Sequence, residues 1–321
     1  MIVSRHHPLL GTFVDVRIFD DTINEVIADD IDDRVVDEMT RLQSVCNRFD
    51  PTSELERWKR GDIVDVSRDL AAVLALALDW QQRSLGSFST NTGHLTNVWR
   101  DAERRGELPT EIELAEARQK AQAPAYEIID EQPIAIDDLS GIDLNAMAKG
   151  WIVDRASENV AAMYPDVEFV VDAGGDMRYF GQHTRLFGVE NPLRPFDNEP
   201  PLMTFRSDPC GIATSGGARK GFSINGIRHS HFLDPTSGQP LGQYASITIV
   251  ADDTATADVV ATICGGLEPD DALSTADELG CACFLVTTSA IRACQRCRRF
   301  CHHTRCHSLG AELSTQTNVT A

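Results

Sequence analysis

The sequence predicts an α+β fold, because two hydrophobic periods occupy different stretches of one chain. Ile27, Ile31, Val35, Met39, Leu42 and Cys46 recur every three or four residues, an amphipathic helix with acids on its wet face. Thr12, Val14, Val16 and Ile18 instead alternate with Phe13, Asp15 and Arg17, the repeat of a half-buried strand. Beyond residue 165 short strand-like runs alternate with glycines, which completes a mixture of helices and sheets in one domain or two closely joined lobes.

The remaining elements follow in order. Ser67 is a candidate N-cap for a helix over 70–85 that closes at Gly86. Thr110 with Glu113 forms a capping-box pattern opening a charged helix to about Ala123. A further helix follows Asp143 and runs through Trp151, Ile152 and Val160 to Met163. Strands are expected over 168–172 and 185–190, and Pro192 to Pro201 reads as a surface loop. Asn225-Gly226 is a hairpin signal between 221–224 and 227–233. A strand over 245–250, helices over 254–264 and 270–279, and a strand over 283–287 complete the pattern.

Composition limits what such a fold does. The 321 residues carry 29 basic and 49 acidic side chains, a formal charge of −20, which argues against nucleic acid as the main partner. Hydrophobic residues make up 42%, which excludes a disordered chain, and no apolar run reaches the roughly 20 residues of a membrane span. The first eleven residues lack the apolar core of a signal peptide, so the expected location is cytoplasmic. Six of the nine cysteines fall between Cys281 and Cys306, and the other three sit singly in apolar stretches, the usage of a reduced compartment. Residues 1–290 therefore read as the working domain, and 291–321 as a Cys/His/Arg-rich tail. The tail spacing, Cys294-x2-Cys297-x3-Cys301-His302-His303-x2-Cys306-His307, fits no standard metal or haem signature. A metal site, a disordered basic tail and a shifted reading frame all accommodate it, and it receives no function.

Chemistry concentrates in five places. Lys149, one of only four lysines, lies where a helix begins after Asp143, so free N–H groups and an ammonium meet at one anion-ready end. An ordinary exposed lysine beside a capping Asp has the same pattern. Gly174-Gly175 before Asp176, and Thr214-Ser215 before Gly216-Gly217, bring backbone amides and hydroxyls close to an anion, or simply make tight turns. On one strand, His229 and His231 would share a face, as a general base, a pair of metal ligands or a polar strand surface. Asp258 and Thr262 lie four apart on a helix and offer hard oxygen donors suited to Mg²⁺, or are a surface acid and a helix threonine.

Taken in order, these motifs carry a resemblance. Leu10-Gly11-Thr12, Asn47-Arg-Phe49-Asp-Pro-Thr-Ser53-Glu54-Leu55, Gly93-His-Leu95 with Trp99, and Asp143-Leu-Asn-Ala-Met-Ala-Lys149-Gly150 come first. Gly174-Gly175-Asp176, Ala213-Thr-Ser-Gly216, His231-Phe-Leu-Asp234-Pro-Thr-Ser-Gly238 and Ala257-Asp258-Val-Val-Ala-Thr262 follow. The set resembles the FAD:protein FMN transferase (ApbE-type) family over about residues 8–287.

The resemblance implies a T-fold-related α+β architecture around an FAD and Mg²⁺ cleft. It implies that Asp258 and Thr262 hold the metal through side chains and Ala146 through its carbonyl. Lys149, Gly174, Gly175, Thr214 and Ser215 would hold the FAD phosphates, with Leu10 and Phe49 approaching the dinucleotide. His231 would be the base that activates a Thr or Ser hydroxyl of an acceptor protein, which takes FMN from FAD as AMP leaves. A non-catalytic FAD binder and an FAD pyrophosphatase are the alternative readings. Members of the family are often exported. Where the family shows Asp, Pro and an aromatic residue, this chain has Ser89, His94 and Ala218.

Overall fold

The alternating pattern at Thr12–Ile18 becomes the second strand of a nine-stranded sheet. Its order is Ile2–Leu9, Thr12–Ile18, Phe169–Ala173, Asp176–Phe180, Gly211–Ser215, Ser246–Ala251, Ala282–Val286, Ile291–Ala293 and Ser314–Thr315. The computed structural model describes residues 1–20, 22–194, 199–216, 221–241, 244–287 and 290–297, with the backbone of 302–306 and 314–315. Ala218 lies outside the described residues, as do the side chains of Cys301, His302, His303, Cys306 and His307.

By contact the chain divides into two compact units. One comprises Met1–Met39, Lys149–Arg219 and Gln243–Ala321; the other comprises Thr40–Ala148 and Lys220–Gly242. The first unit holds the nine-stranded sheet, in which every pairing is antiparallel except that of Ile291–Ala293 with Ser314–Thr315. Ser246–Ala251 and Ala282–Val286 are buried at every residue, so these strands form the sheet's interior, with the helix Thr254–Gly265 packed on it. A second sheet of the same unit orders His302–Cys306, Met203–Ser207 and Arg185–Val189. The sheet thus runs past residue 290, and Cys294 and Cys297, just beyond it, are buried.

The second unit is built on helices: Glu54–Lys59, Arg68–Arg83, Gly93–Arg105 and Glu111–Gln122. Ser67 caps the second of these by accepting from Leu70 N–H, and Gly86, at φ +86°, closes its exit by donating to the Gln81 carbonyl at 3.1 Å. Thr110 and Glu113 form the full capping box. Trp99, Ala102, Leu114, Phe222 and Ile224 make one core cluster here, so the hairpin Gly221–Ile224 with Ile227–Ser230 is fastened to helix Gly93–Arg105. Trp99 is 2% exposed and spends its one polar atom on the Gly238 carbonyl at 2.9 Å. Burial of a side chain this size contributes roughly 2–3 kcal/mol.

Several elements differ from the sequence pattern, among them the unannounced strands Tyr126–Ile129, Gln132–Ala135 and Met203–Ser207, and three others are instructive. Ile2–Leu9 is a strand although its Arg-His-His-Pro stretch carries no clear apolar alternation, because its register is set by Thr12–Ile18 opposite. Gly93–Arg105 is a helix whose weak start has no side-chain cap. The strand expected over 227–233 stops at Ser230, whose hydroxyl accepts the Phe232 N–H at 3.1 Å and interrupts the ladder. A separate short strand then begins at Phe232, so His229 and His231 do not sit on one continuous strand. No described helix is long and apolar enough to cross a membrane.

Candidate functional site

In the first unit the chemistry gathers where helix Ala148–Met163 starts. Lys149 is its second residue, and its Nζ lies 2.9 Å from the Asp176 carboxylate and 3.3 Å from the Ala173 carbonyl. The next residue, Gly150, donates its backbone N–H to Asp258 at 3.2 Å. A Cβ at Gly150 would press on the Thr254 carbonyl and on Asp258, so only glycine lets the two helices approach this closely. Asp154, one turn further on, accepts from the N–H groups of Thr254 at 2.9 Å and Ala255 at 2.8 Å and thereby caps helix Thr254–Gly265 from its neighbour.

The glycine pair forms the connection between Phe169–Ala173 and Asp176–Phe180. Gly174 and Gly175 have φ of +65° and +99°, and a Cβ at Gly174 would collide with Thr12. Gly175 donates to Asp172 at 3.0 Å and accepts from Thr214 N–H at 3.0 Å, while the Thr214 and Thr248 hydroxyls meet at 2.9 Å. Leu10, at φ +52°, and Gly11, at +71°, make the tight turn that precedes Thr12. Ser215, at the strand's end, and Thr262, one helical turn beyond Asp258, are half-buried.

These acids share little solvent. Burial first, and then Asp176, push the Asp258 carboxyl well up, and Lys149 with the Gly150 N–H only partly oppose them. Burial likewise raises Asp172. Burial acts to lower the Lys149 ammonium, but Asp176, Asp258 and Asp172 outweigh it and the group is raised. One ammonium thus faces several carboxylates.

In the second unit, Phe49 lies on the connection before helix Glu54–Lys59 and Ala146 in the turn following Asp143, with Arg48 ion-paired to Asp143. His231 is half-buried, its ring 4.3 Å from Phe232, whereas the His229 ring packs on Trp99 at 5.2 Å. The turn after His231 is set by Asp234, which accepts from Thr236 N–H at 2.9 Å and Ser237 N–H at 3.0 Å. Ser89 is buried: it donates to the Ala121 carbonyl and accepts from Asn91 N–H at 3.0 Å, which ties the start of one helix to the end of another. His94 packs against Gly141.

A family model described as the ApbE family matches residues 10–285. The chain belongs to the ApbE family. It is 26% identical over 306 residues to the FAD:protein FMN transferase of Haemophilus influenzae, covering 89% of this chain and 86% of that one. A protein of the same name from Vibrio cholerae is 26% identical over 239 residues, 72% of this chain and 70% of the relative. Among solved structures, the ApbE protein of Thermotoga maritima superposes with a TM-score of 0.80 at 24% identity, over 94% of this chain and 99% of that one. The flavin transferase ApbE of Vibrio cholerae gives 0.71 at 21%, over 93% and 100%. The shared fold is the mixture of helices and antiparallel sheets described above.

In this ApbE-family chain the sequence-derived residues Lys149, Gly174, Gly175, Thr214 and Asp258 come together in the first unit, and Leu10 is linked to them through Thr12. Phe49, Ala146 and His231 belong to the second unit. Asp154, Asp176 and Arg48 carry structural weight that their motifs did not disclose. Asp176 had one local signal, its place directly after the glycine pair. The donor set suits a hard cation. Asp258 is a buried carboxylate in surplus negative charge, with a hydroxyl one turn away on the same helix. Among the described residues no three His, Cys, Asp or Glu side chains form a metal cluster. A cation here would therefore complete its shell with hydroxyl, carbonyl, water and substrate oxygens, as Mg²⁺ does.

Proposed function

We propose that the chain moves FMN from FAD onto a Thr or Ser hydroxyl of an acceptor protein and releases AMP, with Mg²⁺ as cofactor. The observation that carries the reading is the Lys149, Asp176 and Asp258 constellation at a helix start, in a chain whose curated relatives are named FAD:protein FMN transferases. Lys149, the glycine turn at Gly174 and Gly175 and the hydroxyls of Thr214 and Ser215 bind the FAD diphosphate. Leu10 and Phe49 approach the dinucleotide. By the family likeness, Asp258 and Thr262 through their side chains and Ala146 through its carbonyl are the residues that would hold the cation, which would supply charge neutralisation for the diphosphate.

The chemistry asked of the protein is mostly positioning and charge stabilisation. The acceptor oxygen forms a bond to the phosphorus on the FMN side. The bond from that phosphorus to the bridging oxygen breaks, AMP leaves with that oxygen, and the hydroxyl proton passes to His231 as general base.

Incubation with FAD, Mg²⁺ and a protein carrying a threonine flavinylation segment tests this. The expected result is a fluorescent flavin band on the acceptor and an equivalent of AMP. Free FMN with AMP and no band would make the chain a pyrophosphatase. Bound FAD with no AMP would make it a binder.

A further inference from the structure

Phe49 is 66% exposed, yet its position is closely determined. Its N–H donates to Asn47 Oδ1 at 3.0 Å, and the Asp50 N–H returns to the Asn47 carbonyl at 3.2 Å. The Arg48 guanidinium lies 5.5 Å from the Phe49 ring centroid. The same guanidinium is ion-paired with Asp143, the two side chains being only 11% and 12% exposed. Asp143 is itself rooted: its other oxygen accepts from Asn145 N–H at 3.0 Å, and its N–H donates to the Thr90 carbonyl at 2.8 Å. Lys59 adds a second tie between the same segments, donating to the Ile142 carbonyl at 3.1 Å.

A nearly buried ion pair carries a desolvation cost and is weak as a stabilising device, so its placement calls for another account. Here it anchors a cation against an aromatic ring that the fold holds in water instead of burying. A flat, oriented, exposed ring is a stacking platform. The carboxylate at the far end of the anchor also opens the turn that contains Ala146 by accepting the Asn145 N–H, and Met147 and Ala148 close that turn on the Leu144 carbonyl at 3.0 and 2.7 Å.

We infer that Arg48 is a positioning residue that, braced on Asp143, holds Phe49 as a fixed face for a planar ring of the flavin nucleotide. The inference rests on the proposed function. FAD has two such rings, the isoalloxazine and the adenine, and stacking on Phe49 suits either.

The test is equilibrium titration of the full chain with FAD, FMN and ADP, for wild type, Arg48→Met, Arg48→Lys, Phe49→Ala and the double variant Arg48→Met/Phe49→Ala. Thermal melts confirm that each variant is folded at the assay temperature. Arg48→Met and Phe49→Ala are each expected to weaken FAD about tenfold. The double variant is expected to bind no more weakly than Phe49→Ala alone, because Arg48 acts through the ring. Arg48→Lys keeps the pair with Asp143 and recovers part of the loss. In turnover, KM for FAD rises by a larger factor than kcat falls. A loss shared with FMN assigns the isoalloxazine to the platform, and a loss shared with ADP assigns the adenine. Losses that multiply in the double variant, or an Arg48→Met chain that binds FAD as wild type does, overturn the inference and leave the proposed function standing. A folded wild-type chain that does not bind FAD overturns both.

Discussion

Lys149 lies 2.9 Å from Asp176, a carboxylate only 2% exposed, and this pair sets the charge of the candidate phosphate site. Replacing Lys149 with Met leaves Asp176, Asp172 and Asp258 facing one another without their ammonium. The expected destabilisation is about 2–3 kcal/mol in urea unfolding, because the lysine is partly solvated and the acid is not. Lys149→Met/Asp176→Asn should regain most of that stability. FAD affinity should stay low in both, since neither restores a cation for the diphosphate.

Gly174 at φ +65° lies against Thr12, and this contact joins two of the sheet's connections. Gly174→Ala meets both a left-handed backbone and a collision with the Thr12 side chain. The backbone alone costs about 1–2 kcal/mol, and the collision adds to it. Thermal unfolding should show the loss, and adding Thr12→Ala should return only part of it, because the Thr12 Cβ remains close to the new methyl group.

How much of this was legible depended on distance along the chain. The capping box at Thr110 and Glu113, the alternation over Thr12–Ile18 and the Asp258/Thr262 spacing are local patterns, and local patterns survive folding. The family likeness was legible because its motifs are themselves short. Asp154 was not readable as a cap, since the helix it caps begins 100 residues later. Arg48 was opaque for the same reason: its partner Asp143 is 95 residues away. His229 and His231 failed differently. Their alternation was a correct strand signal, but the Ser230 hydroxyl competed locally for the Phe232 N–H and ended the strand between them.

Glu168 makes acid sensitivity predictable. Its carboxylate is buried, which acts to raise its pKa, but Arg185, the Gln182 N–H at 3.0 Å and His183 prevail and hold it at about 2. A folded pKa below the unfolded one means that the stabilisation is complete above the ordinary value of 4.5 and is lost as pH falls toward 2. Urea midpoints measured from pH 5 down to about 2 should therefore drop steeply for wild type. Glu168→Gln should be less stable at pH 7 and flatter across that range. Parallel curves would mean that other carboxylates account for the acid limb.

Asp154 should act in the opposite direction. It is 3% exposed, and burial raises it from 3.8 to about 6, although the Thr254 and Ala255 N–H groups and Arg178 at 3.6 Å favour its charged form. The folded chain then holds this proton more tightly than the unfolded chain. Its contribution to stability is present below the unfolded value of 3.8 and is lost as pH rises through 6. Asp154→Asn cannot ionise, so the difference in stability between pH 4 and pH 7 should shift in favour of pH 7 relative to wild type. The carboxyl group gives one oxygen to each of the Thr254 and Ala255 N–H groups, whereas an amide has only one acceptor oxygen, so the variant should lose about 1 kcal/mol of capping at every pH. Urea unfolding of both chains at half-unit steps from pH 4 to 7 separates the two effects. The capping loss moves the whole curve, whereas the missing titration changes its slope.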